Sequence, residues 1–411
     1  MKAIFLLSFF FLTTAGDILA QTSLEYCYER AELNYPLIDQ RGLIEKSREY
    51  TLKNAKTAYY PQIGFSIKAS FQSDVTTMPM PGIESIPKDQ YQATIEVDQS
   101  IWDGGMVRAE RKNINATSEV DLHKLKVDLY GLRERVNNLF FGIIMLSKKL
   151  EINALLNEEL QRNLQKVKSY VSGGIANSAD VDAVQVEILN NSQNRIALIS
   201  SRKAYCDMLS AMVGQHIDSL VTPTEPLINK QEICRPELSL FDSQIIQAEA
   251  QKKGILARNM PKLGVFVQGA YGNPGLDMLK AGFTPYAIGG VRLKWNFGGF
   301  YTQKHDISNI EIRKQSIETQ RATFLYNTNL SITQIGGDVE RIVQQMKDDE
   351  QIIKLRGNIK RSSEAKVEGG TMSVTDMLRD VTAENNAIAT HSMHKIELLM
   401  TLYNIKNQYN Y

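Results

Sequence analysis

Residues 62–71 read Gln62-Ile63-Gly64-Phe65-Ser66-Ile67-Lys68-Ala69-Ser70-Phe71, and residues 91–98 read Tyr91-Gln92-Ala93-Thr94-Ile95-Glu96-Val97-Asp98. Apolar side chains take every second place in both stretches. That is the period-two pattern of a strand with one apolar and one polar face. Ten such residues at about 3.4 Å each, tilted about 45°, climb roughly 24 Å, close to the apolar band of an outer-membrane barrel. A soluble hairpin with one wet face alternates in the same way. Aromatic residues mark the strand ends: Tyr59, Tyr60 and Trp102 at one end, Tyr91 near the other. Rings with an apolar body and a polar tip suit the two levels of a membrane interface. Packing at a helix–strand corner is their other common use.

Outward from this hairpin, the chain repeats itself. Pro61 is matched by Pro261, Trp102-Asp103-Gly104-Gly105 by Asn296-Phe297-Gly298-Gly299, and Gly173-Gly174 by Gly369-Gly370, at offsets of 200, 194 and 196. Asp180 and Asp376 follow the two Gly-Gly pairs at the same distance. The second half alternates Leu263, Val265, Val267 and Tyr271, then Val291, Leu293 and Trp295 against Arg292, Lys294 and Asn296. Its alternation breaks at Gly289-Gly290, where a β-bulge is expected. Trp295, Phe297, Phe300 and Tyr301 repeat the aromatic junction.

Each half therefore predicts helix, strand, loop, strand, very long helix, Gly-Gly turn, helix. The first repeat spans 21–222 with its hairpin at 62–102 and tip at 173–174. The second spans 237–411 with its hairpin at 262–297 and tip at 369–370. A linker at 223–236 holds Pro223, Pro226 and Pro236. From Gly105 to Ser172 there is no proline, and Leu122, Leu125, Leu129, Leu132, Val136, Leu139, Ile143, Leu146 and Leu150 keep a heptad seam. The seam resumes at Leu160, Leu164, Val167 and Val171 after Asn153 and Asn157. The run from Phe300 to Glu368 is as long, with its clearest seam at Ile332, Ile335, Val339, Ile342 and Met346. Helices of this length imply a coiled coil, either a stalk or the wall of a tube.

Met1-Lys2, the apolar run Ala3 to Leu12, and Ala20 before Gln21 form a secretory signal over 1–20. No later helix is apolar enough to span a bilayer. The 47 basic and 46 acidic residues in 411 exclude the basic stripe of a nucleic-acid protein. Three cysteines cannot make a complete disulfide framework. Cys206 and Cys234 flank the linker, and a disulfide and two buried thiols are both open for them. His391 and His394 share a helix face, but with no carboxylate or cysteine near them in sequence a solvated face is favoured over a metal site. No catalytic constellation, metal or cofactor is expected.

The exported tandem halves, Tyr60-Pro61 before the first strand, the aromatic-x-Gly-Gly after the second, and Gly-x5-Asp at the helical turns together resemble the TolC-like outer membrane efflux proteins. The resemblance covers residues 23–408. It implies an α+β membrane protein of long antiparallel coiled-coil hairpins, forming an α-barrel, and two β-hairpins. These give four strands per protomer to a twelve-stranded barrel in a homotrimer. The same resemblance implies the outer membrane of a Gram-negative bacterium, with an extension into the periplasm. Its implied partners are outer-membrane lipid, a periplasmic adaptor (membrane fusion) protein and an inner-membrane pump. The chain would be the passive exit duct of a tripartite efflux or type I secretion system for small molecules or polypeptides.

By this resemblance Ser73–Gln90 and Gly272–Thr284 are extracellular loops, and Lys68, Gln72, Glu96, Asp98, Arg292 and Lys294 face the barrel lumen. Tyr60, Trp102, Trp295 and Phe297 are the membrane-interface aromatics. Gly173, Gly174, Ile175, Gly369, Gly370 and Thr371 form the tips that meet the adaptor, although glycine there also simply ends a helix. Asp376 matches the first acidic position of the family's tunnel constriction, while the second, three residues on, is Arg379. Asp180 and Asp376 both also fit a helix-capping role. The alternative to a channel is a non-channel periplasmic coiled-coil adaptor or tethering protein.

Overall fold

The computed structural model describes residues 22–75, 86–228, 232–280 and 282–410. The signal segment, and Pro79 and Pro81 of the first loop, lie outside these residues. The described helices are α1 (Leu24–Asn34), α2 (Gln40–Lys56), α3 (Met106–Tyr130), α4 (Leu132–Ser172), α5 (Ser178–Val213), α6 (Pro236–Arg258), α7 (Phe300–Glu368) and α8 (Val374–Tyr409). The strands are β1 (Gln62–Phe71), β2 (Asp89–Trp102), β3 (Lys262–Asn273) and β4 (Thr284–Lys294), in one antiparallel sheet of order β1-β2-β3-β4. The chain is thus mostly helical with one four-stranded antiparallel sheet, as the alternating and heptad patterns predict. None of the described helices is long and apolar enough to cross a membrane.

The compact units are not the two repeats, although one of their boundaries falls inside the linker, between 233 and 234. One takes residues up to 36, 129–233 and 329–411; the other takes 37–128 and 234–328, so each draws on both halves of the sequence. The first is all helical. Leu24, Cys27, Val136, Phe140, Phe141, Ile143, Leu209 and Val213 form one of its two cores, where α1, α4 and α5 meet. Leu160, Leu164, Val167, Val184, Val374, Met377 and Leu378 form the other, beside the two Gly-Gly turns. Seam positions predicted on α4 supply much of both. Between them Asn153 occupies a seam place, buried, and is paired with Asn191 of α5. Its amide donates to the Asn191 side-chain oxygen at 2.5 Å, and the Asn191 amide donates to the Asn153 carbonyl at 3.1 Å. Gly142 lets the same two helices approach, since a Cβ there would lie 2.5 Å from the Tyr205 ring.

Two expectations are corrected. The run from Gly105 to Ser172 is not one helix but two, parted at Gly131, which keeps helical angles (φ −59, ψ −17). Glycine's weak helix propensity places the interruption there. The bulge expected at Gly289-Gly290 is absent: Val267 faces Gly289 and Phe266 faces Gly290 in unbroken register. The register shifts instead between Ser100 and Trp102. Gly290 is glycine because the Phe266 ring lies over it, 3.2 Å from where a Cβ would stand.

The sheet belongs to the second unit. One face carries Ile63, Phe65, Ile67, Phe71, Tyr91, Ile95, Val267, Tyr271, Val291 and Leu293, and these side chains stay largely exposed among the described residues. Ile63 is 75% exposed and Ile67 72%. Burying one such side chain is worth about 1.5–3 kcal/mol, so a bare face of this size marks a contact with an apolar surrounding.

Candidate functional site

The opposite face of the sheet is charged and polar. Arg292 of β4 reaches across β3 to β2: its Nη2 lies 2.9 Å from Glu96 Oε1 and its Nη1 3.0 Å from Asp98 Oδ1. The guanidinium also stacks over the Phe266 ring at 4.4 Å. Three of the six residues assigned to the lumen are therefore one ion-paired group. Gln72 bonds Gln90 (Nε2 to Oε1, 3.0 Å), Lys68 stands opposite Gln92 in the β1–β2 register, and Lys294 stands opposite Lys262. Phe266 and Tyr286, whose hydroxyl takes a hydrogen bond from Gln92, share this face. Their apolar character disguised them in the sequence, and only the register reveals them.

At the strand–helix junctions the four aromatics assigned to the interface are exposed, Tyr60 and Trp102 in the first repeat and Trp295 and Phe297 in the second. Trp295 and Phe297 pack together (centroids 4.8 Å), and Phe297 stacks on Phe300 (6.3 Å). What fastens the first junction is Asp103. Its carboxylate accepts from the backbone N–H groups of Gly105 (2.9 Å) and Val107 (2.6 Å) and from the Tyr59 hydroxyl (2.8 Å). Gly104 (φ +74) cannot be another residue: a Cβ would sit 2.6 Å from that of Met260. In the second repeat Asn296 Oδ1 likewise accepts from Gly298 N–H, and the Trp295 indole donates to the Asn259 carbonyl.

The tips are alike in backbone. Gly173, Gly174 and Ile175 donate to the carbonyls of Ser169, Val171 and Tyr170; Gly369, Gly370 and Thr371 donate to those of Ala365, Val367 and Lys366. With Gly174 at φ +74 and Gly370 at φ +68, both are Schellman turns, which satisfy the last carbonyls of α4 and α7. Past each turn the aspartate caps the next helix. Asp180 and Asn177 exchange side-chain and backbone bonds in a full capping box (3.0 and 3.1 Å). Asp376 accepts from the Ser373 hydroxyl at 2.7 Å. Arg379, one turn on, lies 3.5 Å from Asp376, and both side chains are exposed.

Two further clusters join residues far apart in sequence. Lys360 of α7 bridges Glu159 of α4 and Glu384 of α8 (2.8 Å to Glu384). Burial pulls its pKa down, but the hydrogen bonds to both carboxylates outweigh that and raise it above the ordinary lysine value. His394 Nδ1 lies 2.6 Å from Asp349 Oδ2, and His391 Nδ1 lies 3.7 Å from the same oxygen. The solvated face expected for this histidine pair is corrected: both rings turn toward a buried carboxylate of α7, which lies 42 and 45 residues away in sequence. Cys206 is a free buried thiol in the same core as Cys27, while Cys234 is exposed in the other unit.

The comparisons with known proteins agree with this arrangement. Residues 27–215 match the outer membrane efflux protein family. The structure aligns with the outer membrane protein VceC of Vibrio cholerae at TM-score 0.63 and 14% identity, covering 93% of this chain and 95% of that one. The CmeC outer membrane channel of Campylobacter jejuni gives 0.64 at 11%, over 94% and 85%. The fold is that of the TolC-like outer membrane channels. The open-state MtrE outer membrane channel of Neisseria gonorrhoeae aligns at 0.61 and 12%, over 93% and 88%. No curated protein matches the sequence. The family match over the first half and the fold shared with outer membrane channels over nearly the whole chain are consistent with each other.

Proposed function

We propose that three copies of this chain close into one twelve-stranded barrel and act as the passive exit duct of a tripartite efflux or type I secretion system. One observation carries the reading: a four-stranded sheet with a bare apolar face, a charged opposite face and two unpaired edges, β1 and β4. Four strands cannot close a barrel, and open edges invite uncontrolled pairing. Threefold repetition gives twelve strands, an even number within the range of such barrels. The apolar face then meets lipid, with Tyr60, Trp102, Trp295 and Phe297 at its interface. Lys68, Gln72, Glu96, Asp98, Arg292 and Lys294 line a water-filled bore.

The Gly173–Ile175 and Gly369–Thr371 turns are the surfaces offered to a periplasmic adaptor, which links the duct to an inner-membrane pump. Asp376 and Arg379 stand at the periplasmic entrance, with Asp180 on the neighbouring hairpin. Paired Asp376 and Arg379 give this entrance charges of both signs, and so weak charge preference. Electron microscopy of the detergent-extracted mature protein tests the reading. Threefold hollow cylinders well over about 100 Å long are expected, because a 69-residue α7 alone spans about that length. Compact monomers or solid rods that stay soluble without detergent would leave a non-channel coiled-coil stalk in its place.

A further inference from the structure

The connection between β3 and β4 has the wrong chemistry for a surface loop. Turns favour Gly, Asn, Asp and Ser, yet Leu276, Met278, Leu279 and Phe283 lie within eight residues, all at least half exposed. The turn itself is ordered: Asp277 Oδ1 accepts from Leu279 N–H at 3.1 Å and the Asp277 carbonyl from Lys280 N–H at 3.2 Å. Met278 and Leu279 are its central residues. At the same end of the sheet the described part of the β1–β2 connection is mixed, with Ser73, Asp74 and Val75 on one side and Ile86, Pro87 and Lys88 on the other, Lys88 bonding back to the Ser73 carbonyl.

Phe283 shows which way the β3–β4 connection leans. Its ring stacks on Tyr271 (centroids 5.5 Å, planes 26° apart) and faces Tyr91 (6.5 Å, 28°). Both tyrosines belong to the apolar face, in register with Ile95, Val267 and their neighbours. The connection therefore prolongs that face beyond the strand ends.

We infer that the β3–β4 connection is a lipid anchor, in which Leu276, Met278, Leu279 and Phe283 enter the boundary between headgroups and acyl chains. The inference rests on the apolar face being the lipid-facing wall. Side chains of this kind partition to that depth by buried apolar area. Lys280, exposed on the same turn with its ammonium 3.9 Å from Asp277, has a stem long enough to reach lipid phosphates on leaving that pair.

Site-directed nitroxide labelling of the full mature chain in phospholipid vesicles tests this. The labels go at Leu279→Cys, Ile67→Cys and Ser73→Cys, each in a Cys234→Ser background. Collision rates with oxygen, which enriches in lipid, are compared with those of a water-soluble nickel chelate. The oxygen-to-nickel ratio is expected to be several-fold higher at 279 than at 73, and high at 67. A high ratio at 67 with a low one at 279 would overturn the anchor and leave the wall intact. A low ratio at 67 would remove the wall and the anchor with it. A label at 279 shielded from both reagents would mean that a neighbouring copy covers the loop, which also overturns the anchor.

Discussion

Asp103 holds an ionised carboxylate in a buried place by surrounding it with donors. Burial opposes ionisation, but the hydrogen bonds from Val107, Tyr59 and Gly105 outweigh it and hold the pKa below the ordinary aspartate value. A lowered folded-state pKa contributes stability above the unfolded value, near 4, and loses it as pH falls through the lowered one. Asp103→Asn is therefore expected to cost about 1–3 kcal/mol at pH 7. The difference from the parent protein should shrink in acid, as followed by thermal loss of helical circular dichroism in detergent. A difference that stays constant down to pH 3 would count against the charge. At Gly142 the demand is steric. Gly142→Val drives a side chain into the Tyr205 ring and should cost about 1–3 kcal/mol, with Tyr205→Ala in the same chain restoring part of it. In sequence, Asp103 is visible only as one member of a repeated Gly-Gly motif, and Gly142 only as a helix interruption. Their partners lie 44 and 63 residues away, and local pattern carries no information on contacts at that range.

The elements themselves are far more legible. Alternation at Ile63, Phe65 and Ile67 marks β1 because a strand turns every second side chain to the same face. Leu160, Leu164 and Val167 mark the inner side of α4 because a helix returns there every third or fourth residue. Gly289-Gly290 shows where such reading stops. Lost alternation looks like a bulge, whereas the missing side chains make room for a ring on the neighbouring strand. Asn153 shows the same limit on a helix: a polar residue in the seam reads as a gap but is a buried, reciprocal pair with Asn191. Asn153→Leu leaves the buried Asn191 side-chain oxygen without its donor and should lower stability by about 1–3 kcal/mol. The Asn153→Leu/Asn191→Leu double variant should recover much of that loss, read as denaturation midpoints of the four proteins in the cycle. Strictly additive losses would show that the two amides act independently.

For the whole molecule, the charge of the proposed bore turns on one residue. Arg292 pairs with both Glu96 and Asp98 and offsets one of their two charges, so Arg292→Gln would leave two unpaired carboxylates in each protomer. In planar bilayers with a salt gradient, the reversal potential of the variant is expected to shift toward cation preference relative to the parent, while the channel still forms. An unchanged potential would place the Arg292 group outside the conducting path. The tandem halves, the strands and the long helices are legible in the sequence. The proposed number of copies is not, since it depends on closing a sheet between chains.

The unpaired edges, β1 and β4, also set the genetics of the protein. In the proposed ring of three, each copy must present a sound β1 to one neighbour and a sound β4 to the other. A chain that folds but carries one spoiled edge is still recruited through its good edge, and the ring that receives it stays open. With equal synthesis of sound and spoiled chains, random assembly leaves about one ring in eight made wholly of sound ones. Edge-strand alleles should therefore behave as dominant poisons, whereas alleles that prevent folding altogether should be recessive.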